Sequence, residues 1–510
     1  MSTQSNPELK MVTAPQPGGG SLLDQILAEG RLAHSPEQRP HAINLISELV
    51  DQVLQGQLVM SNDMEAAINE RIKQIDALLS DQLNEIMHHP DFQKLEASWR
   101  GLHHLVFETE TSTMLKIGVL NATKRELIKD FERGGNDPQS GQGNEFDQSS
   151  VFKKVYEAEY GMFGGEPYGM LLGDLEFTNH PQDMYLLEKM SGVAAAAHAP
   201  FISAASPNLF GWENFHKITE VRDLAKIFDP NLNPEYVKWQ SFRNSEDSRY
   251  VGLCLPRYLS RLPYGEATNP TETFRFEEKV DGKDHSKYLW GNAAYVFATR
   301  VTEAFAMHNW CVAIRGVEGG GLVQGLPTHT FETDEGDVAM KCPTEVAITD
   351  RREKEFSDLG FIPLVHCKNT DYAAFFGAQS ANKPKKYDTD FANANARLSS
   401  QLQYMFAVSR IAHYLKCMVR DKIGSFMSRK NCEEFLNRWI NHYVLLDDSA
   451  GQEMKAKFPL REARIEVFEI PGKPGCYKAV SYLRPHFQLD ELTVSLRLVS
   501  ELPQPRNQGQ

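Results

Sequence analysis

The sequence predicts a mixed α/β (α+β) fold. From about Thr113 onward, short strand-like apolar runs alternate with helical stretches, which is the pattern of an α/β body. Before that point apolar residues recur at helical spacings, and beyond about Ala463 they alternate with polar ones, the period of strands. At 510 residues and 41% hydrophobic content, the chain has material for two or three cores.

Residues 1–60 read as a mobile arm, because the stretch up to Gly20 is rich in Pro, Gly, Ser and Gln and only short amphipathic pieces follow, at Leu22–Leu27 and Ile43–Leu58. Residues 61–110 read as two amphipathic helices. Asn62 is placed to cap the first, with Glu65 three residues on, and Ile68, Ile72, Ile75, Leu79, Leu83 and Ile86 form its apolar face. Pro90 opens the second, whose stripe is Phe92, Leu95, Trp99, Leu102 and Leu105.

Residues 111–385 form the α/β body. Strands are expected at Met114–Leu120, Met170–Phe177, Phe201–Ala205, Tyr250–Leu255, Trp310–Ile314, Glu345–Thr349 and Phe361–His366, with helices at Asp183–Ala199 and Asn292–His308. The polar and glycine-containing segments Gly134–Gly143 and Asn382–Thr389 read as exposed loops or boundaries. Residues 386–510 are the C-terminal domain: one long helix from Phe391 to Phe426, a second capped at Asn431, then strands at Ala463–Ile470, Tyr477–Leu483 and Leu492–Leu502.

Charge and cysteine usage narrow the function. A net charge of -14 argues against a chain that grips nucleic acid, and Lys383-Pro384-Lys385-Lys386 reads as a solvated turn. The seven cysteines are dispersed, contain no CxxC pair and fit reduced thiols in a cytosol. The N-terminus lacks the basic start and apolar centre of a secretory signal, and no run reaches membrane-spanning length, so a cytoplasmic protein is expected.

The glycine-rich stretch Gly316–Gly325, "GVEGGGLVQG", sits where a nucleotide enzyme would keep its phosphate loop. A Walker loop requires Lys and Ser or Thr after the second glycine, and here Leu326 and Pro327 follow Gly325. A dinucleotide fingerprint fails on spacing, because Gly319, Gly321 and Gly325 are one residue too wide. His88-His89 and His103-His104 lack a completing ligand set, and His413 reads as a hydrogen-bonded packing residue. The carboxylates of Thr349–Asp358 are interleaved with Arg351, Arg352 and Lys354, which suits a salt-bridged helix face. No catalytic residue, cofactor or metal site is therefore expected.

The terminal run "LTVSLRLVSEL" places Leu492, Val494, Leu496 and Leu498 on one face. Burying those four side chains yields roughly 6 to 12 kcal/mol, whereas fixing about nine backbones costs roughly 9 to 18 kcal/mol. The strand needs a sheet, either in its own chain or on a neighbour.

Several long blocks in fixed order carry a further reading: "HHPDFQKLEASWRGLHHLV" (88–106), "LCLPRYLSRLPYG" (253–265), "WGNAAYVFATR" (290–300), "KCPTEVAITDRREKEFSDLGFIPL" (341–364), "SRIAHYLKCMVRDKIGSF" (409–426) and "YLRPHFQLDELTVSLRLVSELP" (482–503). Together with the glycine stretch they resemble the large subunit of the type VI secretion contractile sheath, the TssC/VipB family. The resemblance implies a contractile-tail-sheath-like body and a non-enzymatic building block. It would pair with a small sheath subunit of the TssB/VipA type, stack with neighbouring protomers on a baseplate around Hcp-type hexamers, and be recycled by an AAA+ ATPase acting through the small subunit. It also implies that Leu492, Val494, Leu496 and Leu498 belong to an inter-subunit strand. Ile68, Ile72, Ile75, Leu79 and Leu83 become candidates for the small-subunit contact, and Lys455 and Lys457 for the inner tube. The alternatives are a nucleotide-binding enzyme built on the glycine loop and a single-component phage-type sheath.

Overall fold

The computed structural model describes residues 38–54, 64–133, 146–272, 274–282, 284–332, 338–425, 428–472 and 476–488. The chain divides into two compact units, Met1–Leu83 with Glu272–Phe276, and Asn84–Thr271 with Glu277–Gln510. The first contains helix α1 (Arg39–Leu54) and all but the last turn of α2 (Met64–Met87). The expected cap of α2, Asn62, lies outside the described residues.

The second unit opens with α3 (Pro90–Phe107), which has Pro in its first turn and His89 as cap, a ring nitrogen accepting from the Asp91 N–H at 3.3 Å. Gly101 lets α3 lie against the Tyr295 ring, since a Cβ there would fall 2.4 Å from it. Helix α4 (Lys124–Arg133) starts with a reciprocal cap: the Thr123 N–H donates to Glu126 Oε2 at 2.8 Å, and the Glu126 N–H donates to Thr123 Oγ1 at 3.3 Å.

In chain order there follow β1 (Leu171–Phe177), α5 (Pro181–Ala197), β2 (Phe201–Ala205), α6 (Val237–Asn244), β3 (Val251–Leu255), α7 (Ala293–His308), β4 (Leu322–Val323), α8 (Asp350–Asp358), β5 (Ile362–His366) and β6 (Ala373–Phe375). The six strands make one sheet in the order β1-β2-β3-β5-β6-β4; the first four are parallel, and β6 runs antiparallel to both of its neighbours. Every residue of β2 and β3 is buried, as continuous apolar runs in a sheet covered on both faces require. On one face lie Leu186, Leu187 and Val193 of α5, Trp239 and Phe242 of α6 and Phe356 of α8. On the other lie Ala294, Phe297 and Val301 of α7 with Leu402 and Phe406. Gly252 makes that second layer possible, because a Cβ there would sit 2.7 Å from Leu402 and 2.8 Å from Ile362.

The C-terminal region consists of α9 (Asp390–Leu398), α10 (Leu402–Asp421), α11 (Arg429–Ile440), α12 (Gln452–Lys457) and the antiparallel hairpin β7 (Leu460–Glu469) with β8 (Tyr477–Pro485). The expected single helix over Phe391–Phe426 is two. At the break, the Ser380 N–H donates to the Ser400 carbonyl at 2.8 Å and the Leu402 N–H donates to the Ala378 carbonyl at 2.8 Å, so residues 400–402 pair sideways with the chain leaving β6. The cap of α11 is Ser428, whose hydroxyl accepts from the Asn431 N–H at 3.3 Å, three residues before the expected position.

Three expected strands are not ladder members. Trp310–Ile314 and Glu345–Thr349 are irregular with Trp310, Val312, Ile314, Val346 and Ile348 buried; at the latter Thr344 bridges to Tyr258 and the Glu345 N–H donates to the Arg257 carbonyl at 2.9 Å, but no ladder extends further among the described residues. Met114–Leu120 opens in a bend and forms no ladder among the described residues. Pattern alone marks a chain that prefers to be extended and buried, and pairing depends on what passes beside it.

His413 of α10 fulfils its expected packing role. It is buried, and its Nε2 donates to the Ala197 carbonyl at the end of α5 at 2.8 Å. Burial, which outweighs that hydrogen bond, pushes its pKa down to about 4. The folded state therefore keeps this imidazole neutral while the unfolded chain takes up a proton below about pH 6.5. Stability contributed here is complete above pH 6.5 and is lost as pH falls toward 4, by on the order of 3 kcal/mol at most. Urea titrations from pH 7.5 to 4.5 are expected to show this decline, and His413→Gln to flatten it.

Candidate assembly surfaces

The glycine-rich segment is occupied with the fold itself. Gly316, Gly320 and Gly325 have φ of 74°, 87° and 69°, which only glycine adopts without strain. The Gly316 N–H donates to the Phe375 carbonyl at 2.7 Å, the Gly321 N–H to Gly316 at 2.9 Å, and the Phe375 N–H returns to Gly321 at 2.9 Å. These N–H groups stitch the loop to β6, and β4 follows where a phosphate loop would open a helix. Among the described residues no group of three or more His, Cys, Asp or Glu is arranged to hold a metal ion, and no helix is long and apolar enough to cross a membrane.

Attention therefore falls on surfaces. Helix α3 is fixed to the body by a buried ion-pair network. Arg261 reaches Glu96 at 2.7 Å and Glu278 at 2.6 Å, Arg100 also reaches Glu96 at 2.7 Å, and Glu278 accepts the Tyr264 N–H at 2.9 Å. Burial would raise the Glu96 carboxyl, but the two guanidiniums hold it below its ordinary value. With that side pinned inward, Leu95, Trp99 and Phe107 face outward, Trp99 at 66% exposure. On α2, Ile68, Ile72, Ile75 and Leu79 are exposed and Leu83 is half-buried.

The C-terminal hairpin has two unlike edges. A two-stranded sheet is marginal alone, and this one is held by Leu460, Ile465 and Val467 packed on Ile411 of α10 and on Leu436 and Ile440 of α11. Helix α11 also closes the outer edge of β7. Asn437 donates to the Ile465 carbonyl at 2.7 Å and accepts its N–H at 2.9 Å, Glu433 accepts the Val467 N–H at 3.1 Å, and Arg429 donates to the Val467 carbonyl at 3.1 Å. Because the backbone N–H and C=O groups of Ile465 and Val467 point away from β8, their register partners Ser481 and Ala479, and Leu483 beyond, turn their backbone groups to the opposite side. Those groups have no backbone partner among the described residues. Among the described residues one edge is sealed by side chains and the other is bare.

Sequence reading located the hairpin but missed its sealed edge, because Arg429, Glu433 and Asn437 look like ordinary surface residues at spacings of four. Leu492, Val494, Leu496 and Leu498 lie outside the described residues. Lys455, on α12, is half-buried and donates to the Asp448 carbonyl at 2.7 Å, while Lys457 is exposed.

Residues 69–382 match the VipB family, described as the EvpB/VC_A0108 tail sheath N-terminal domain, and residues 391–502 match its companion, the EvpB/VC_A0108 tail sheath gpW/gp25-like domain. This chain belongs to the VipB tail sheath family. It is 53% identical over 459 residues to the type VI secretion system sheath protein TssC1 of Pseudomonas aeruginosa, across 90% of each chain. Solved structures similar to it include the anti-feeding prophage baseplate, at TM-score 0.34 and 8% identity, covering 62% of this chain and 66% of that one. The contracted helical sheath of the same particle gives TM-score 0.28 and 10% identity, with 61% and 66% covered. This chain thus spans a little under two thirds of either, and both scores are too low for a shared fold to follow.

Asn437→Ala removes the two bonds that close Ile465 and is expected to destabilise the protein by about 1–3 kcal/mol. Chemical denaturation measures this, and a surface position with no role would show no change.

Proposed function

We propose that this chain is the large subunit of a type VI secretion contractile sheath, a structural building block that acts in the cytoplasm. The observation that carries the reading is the match to sheath domains over nearly the whole chain, with 53% identity to a sheath protein of that system. The protomer pairs with a small subunit of the TssB/VipA type, and the pairs stack from a baseplate into a helical tube around Hcp-type hexamers. Contraction expels the inner tube, and an AAA+ ATPase working through the small subunit recycles the shortened sheath. Work comes from repacking between protomers, and no hydrolysis takes place in this chain.

The bare edge of β8 supports a tether between protomers. Backbone groups of Ala479, Ser481 and Leu483 offer a ladder, and the alternating run Leu492–Leu502 of a neighbour supplies the strand. Such pairing lets rigid bodies turn past one another without separating. Exposed Ile68, Ile72, Ile75 and Leu79 on α2, with Leu83, are the small-subunit contact in this reading, and Lys455 and Lys457 face the inner tube.

Co-expression with the small subunit, followed by electron microscopy, tests the whole. The full chain is expected to give long tubes with the partner and none alone, whereas a single-component sheath would form tubes unaided. A chain cut before Asp490 is expected to co-purify with the small subunit yet form no long tubes; normal tubes from it remove the tether. Charged substitutions at Ile72, Ile75 and Leu79 together are expected to abolish co-purification in a pull-down, and an intact complex would remove that contact.

A further inference from the structure

Three basic side chains from three separate segments of the second unit converge on one another. His216 lies on a short 3-10 turn (Phe215–Thr219), His285 on another (His285–Lys287), and Lys341 directly follows the small hairpin of Thr330–Glu332 with Val338–Met340. The two imidazole rings are 3.8 Å apart between centroids. Lys341, only 7% exposed, donates from Nζ to His285 Nδ1 at 2.8 Å and to the Gly282 carbonyl at 3.1 Å, and its charge sits over the Tyr288 ring at 4.9 Å.

A lysine this deeply buried ordinarily meets a carboxylate. Here, among the described residues, no carboxylate makes an ion pair with Lys341 or with either imidazole. The acids nearby are engaged elsewhere. Asp284 accepts the Ser286 N–H and hydroxyl at 3.0 and 2.6 Å and pairs with Lys287 at 3.8 Å, Asp281 accepts the Asp284 N–H at 3.0 Å, and Glu278 is held by Arg261 at 2.6 Å. Of the other titratable groups on these segments, Lys217 pairs with Glu220 at 3.1 Å, His329 shares a 2.8 Å hydrogen bond with the Tyr288 hydroxyl, and Cys342 shares one of 3.1 Å with Thr344.

The Lys341 ammonium is therefore satisfied only while His285 is neutral. A protonated imidazole has no lone pair, so proton uptake replaces the acceptor at 2.8 Å with a second cation. His216 gives no relief: its Nε2 is buried without a hydrogen-bond partner, and a proton there would add an unpaired buried charge. Burial, and then the Lys341 charge, push the His285 pKa down to about 4 and lower that of His216 as well. The same residues hold the small hairpin. Phe331 lies so close over Gly282 that a Cβ there would fall 2.4 Å from its ring, and the Lys341 N–H donates to the His329 carbonyl at 2.7 Å.

We propose that His216, His285 and Lys341 form an acid-sensitive latch that keeps the turn His285–Tyr288 closed on the small hairpin at neutral pH and releases it on proton uptake. The opened turn takes up its proton near the ordinary histidine pKa of 6.5, the closed one only near 4. Closure is complete above pH 6.5 and weakens as pH falls toward 4, so the ratio of opened to closed turn rises about tenfold from pH 7.5 to 5.5.

Hydrogen–deuterium exchange of the full-length chain, referred to the intrinsic rate at each pH, tests this. Backbone amides of residues 285–288 and 338–341 are expected to exchange about tenfold faster at pH 5.5 than at pH 7.5, and to keep that rise in His413→Gln. His285→Gln, whose side-chain carbonyl still accepts from Lys341 but takes up no proton, is expected to abolish it. A flat profile in the unaltered chain overturns the proposal, and so does a tenfold rise that persists in His285→Gln. A rise shared equally by β2 and β3 reports global unfolding and overturns it too. Should His285→Gln fail to fold, the unaltered and His413→Gln profiles decide between these outcomes.

Discussion

Every extended segment in this protein faces one constraint: its backbone N–H and C=O groups need partners. Inside the sheet from β1 to β4 the constraint is met by neighbouring strands. At the hairpin it is met, among the described residues, on one side only, where Asn437, Glu433 and Arg429 stand in for a strand along β7. Sealing an edge with side chains prevents indiscriminate pairing along it.

The same logic separates parts that hold the body together from parts that meet other molecules. Arg261, Glu96 and Glu278 fix α3 at the cost of desolvating charges, which is tolerable only because each is bonded to another. With one side of the helix committed, the position of Trp99 on the water side follows from helical geometry. The glycine stretch belongs to the first class, since its turns and its bonds to Phe375 are spent inside the fold.

Much of the body was legible in the sequence. The continuous apolar runs of β2, β3 and β5, the helices α5 and α7, and the hairpin are strong local signals. Where the reading failed, the deciding partner lay far away in the chain. The break between α9 and α10 depends on Ala378 and Ser380, and nothing near Ser400 announces them. Trp310–Ile314 and Met114–Leu120 have strand chemistry, and only the three-dimensional arrangement decides whether a neighbour reaches them. The candidate assembly residues on α2 were visible as a periodic stripe, but the closing of the β7 edge depends on three polar residues that have no distinctive pattern.

Helix α10 has a mechanical consequence. Its first turn is wedged into the sheet at Gly252, its middle carries Ile411 into the hairpin's core, and Arg420 near its end donates to the Tyr160 carbonyl at 2.9 Å. Twenty residues of continuous helix make a rod about 30 Å long. A pull applied to the hairpin is therefore delivered to the centre of the sheet through a stiff strut instead of being absorbed by slack in a linker.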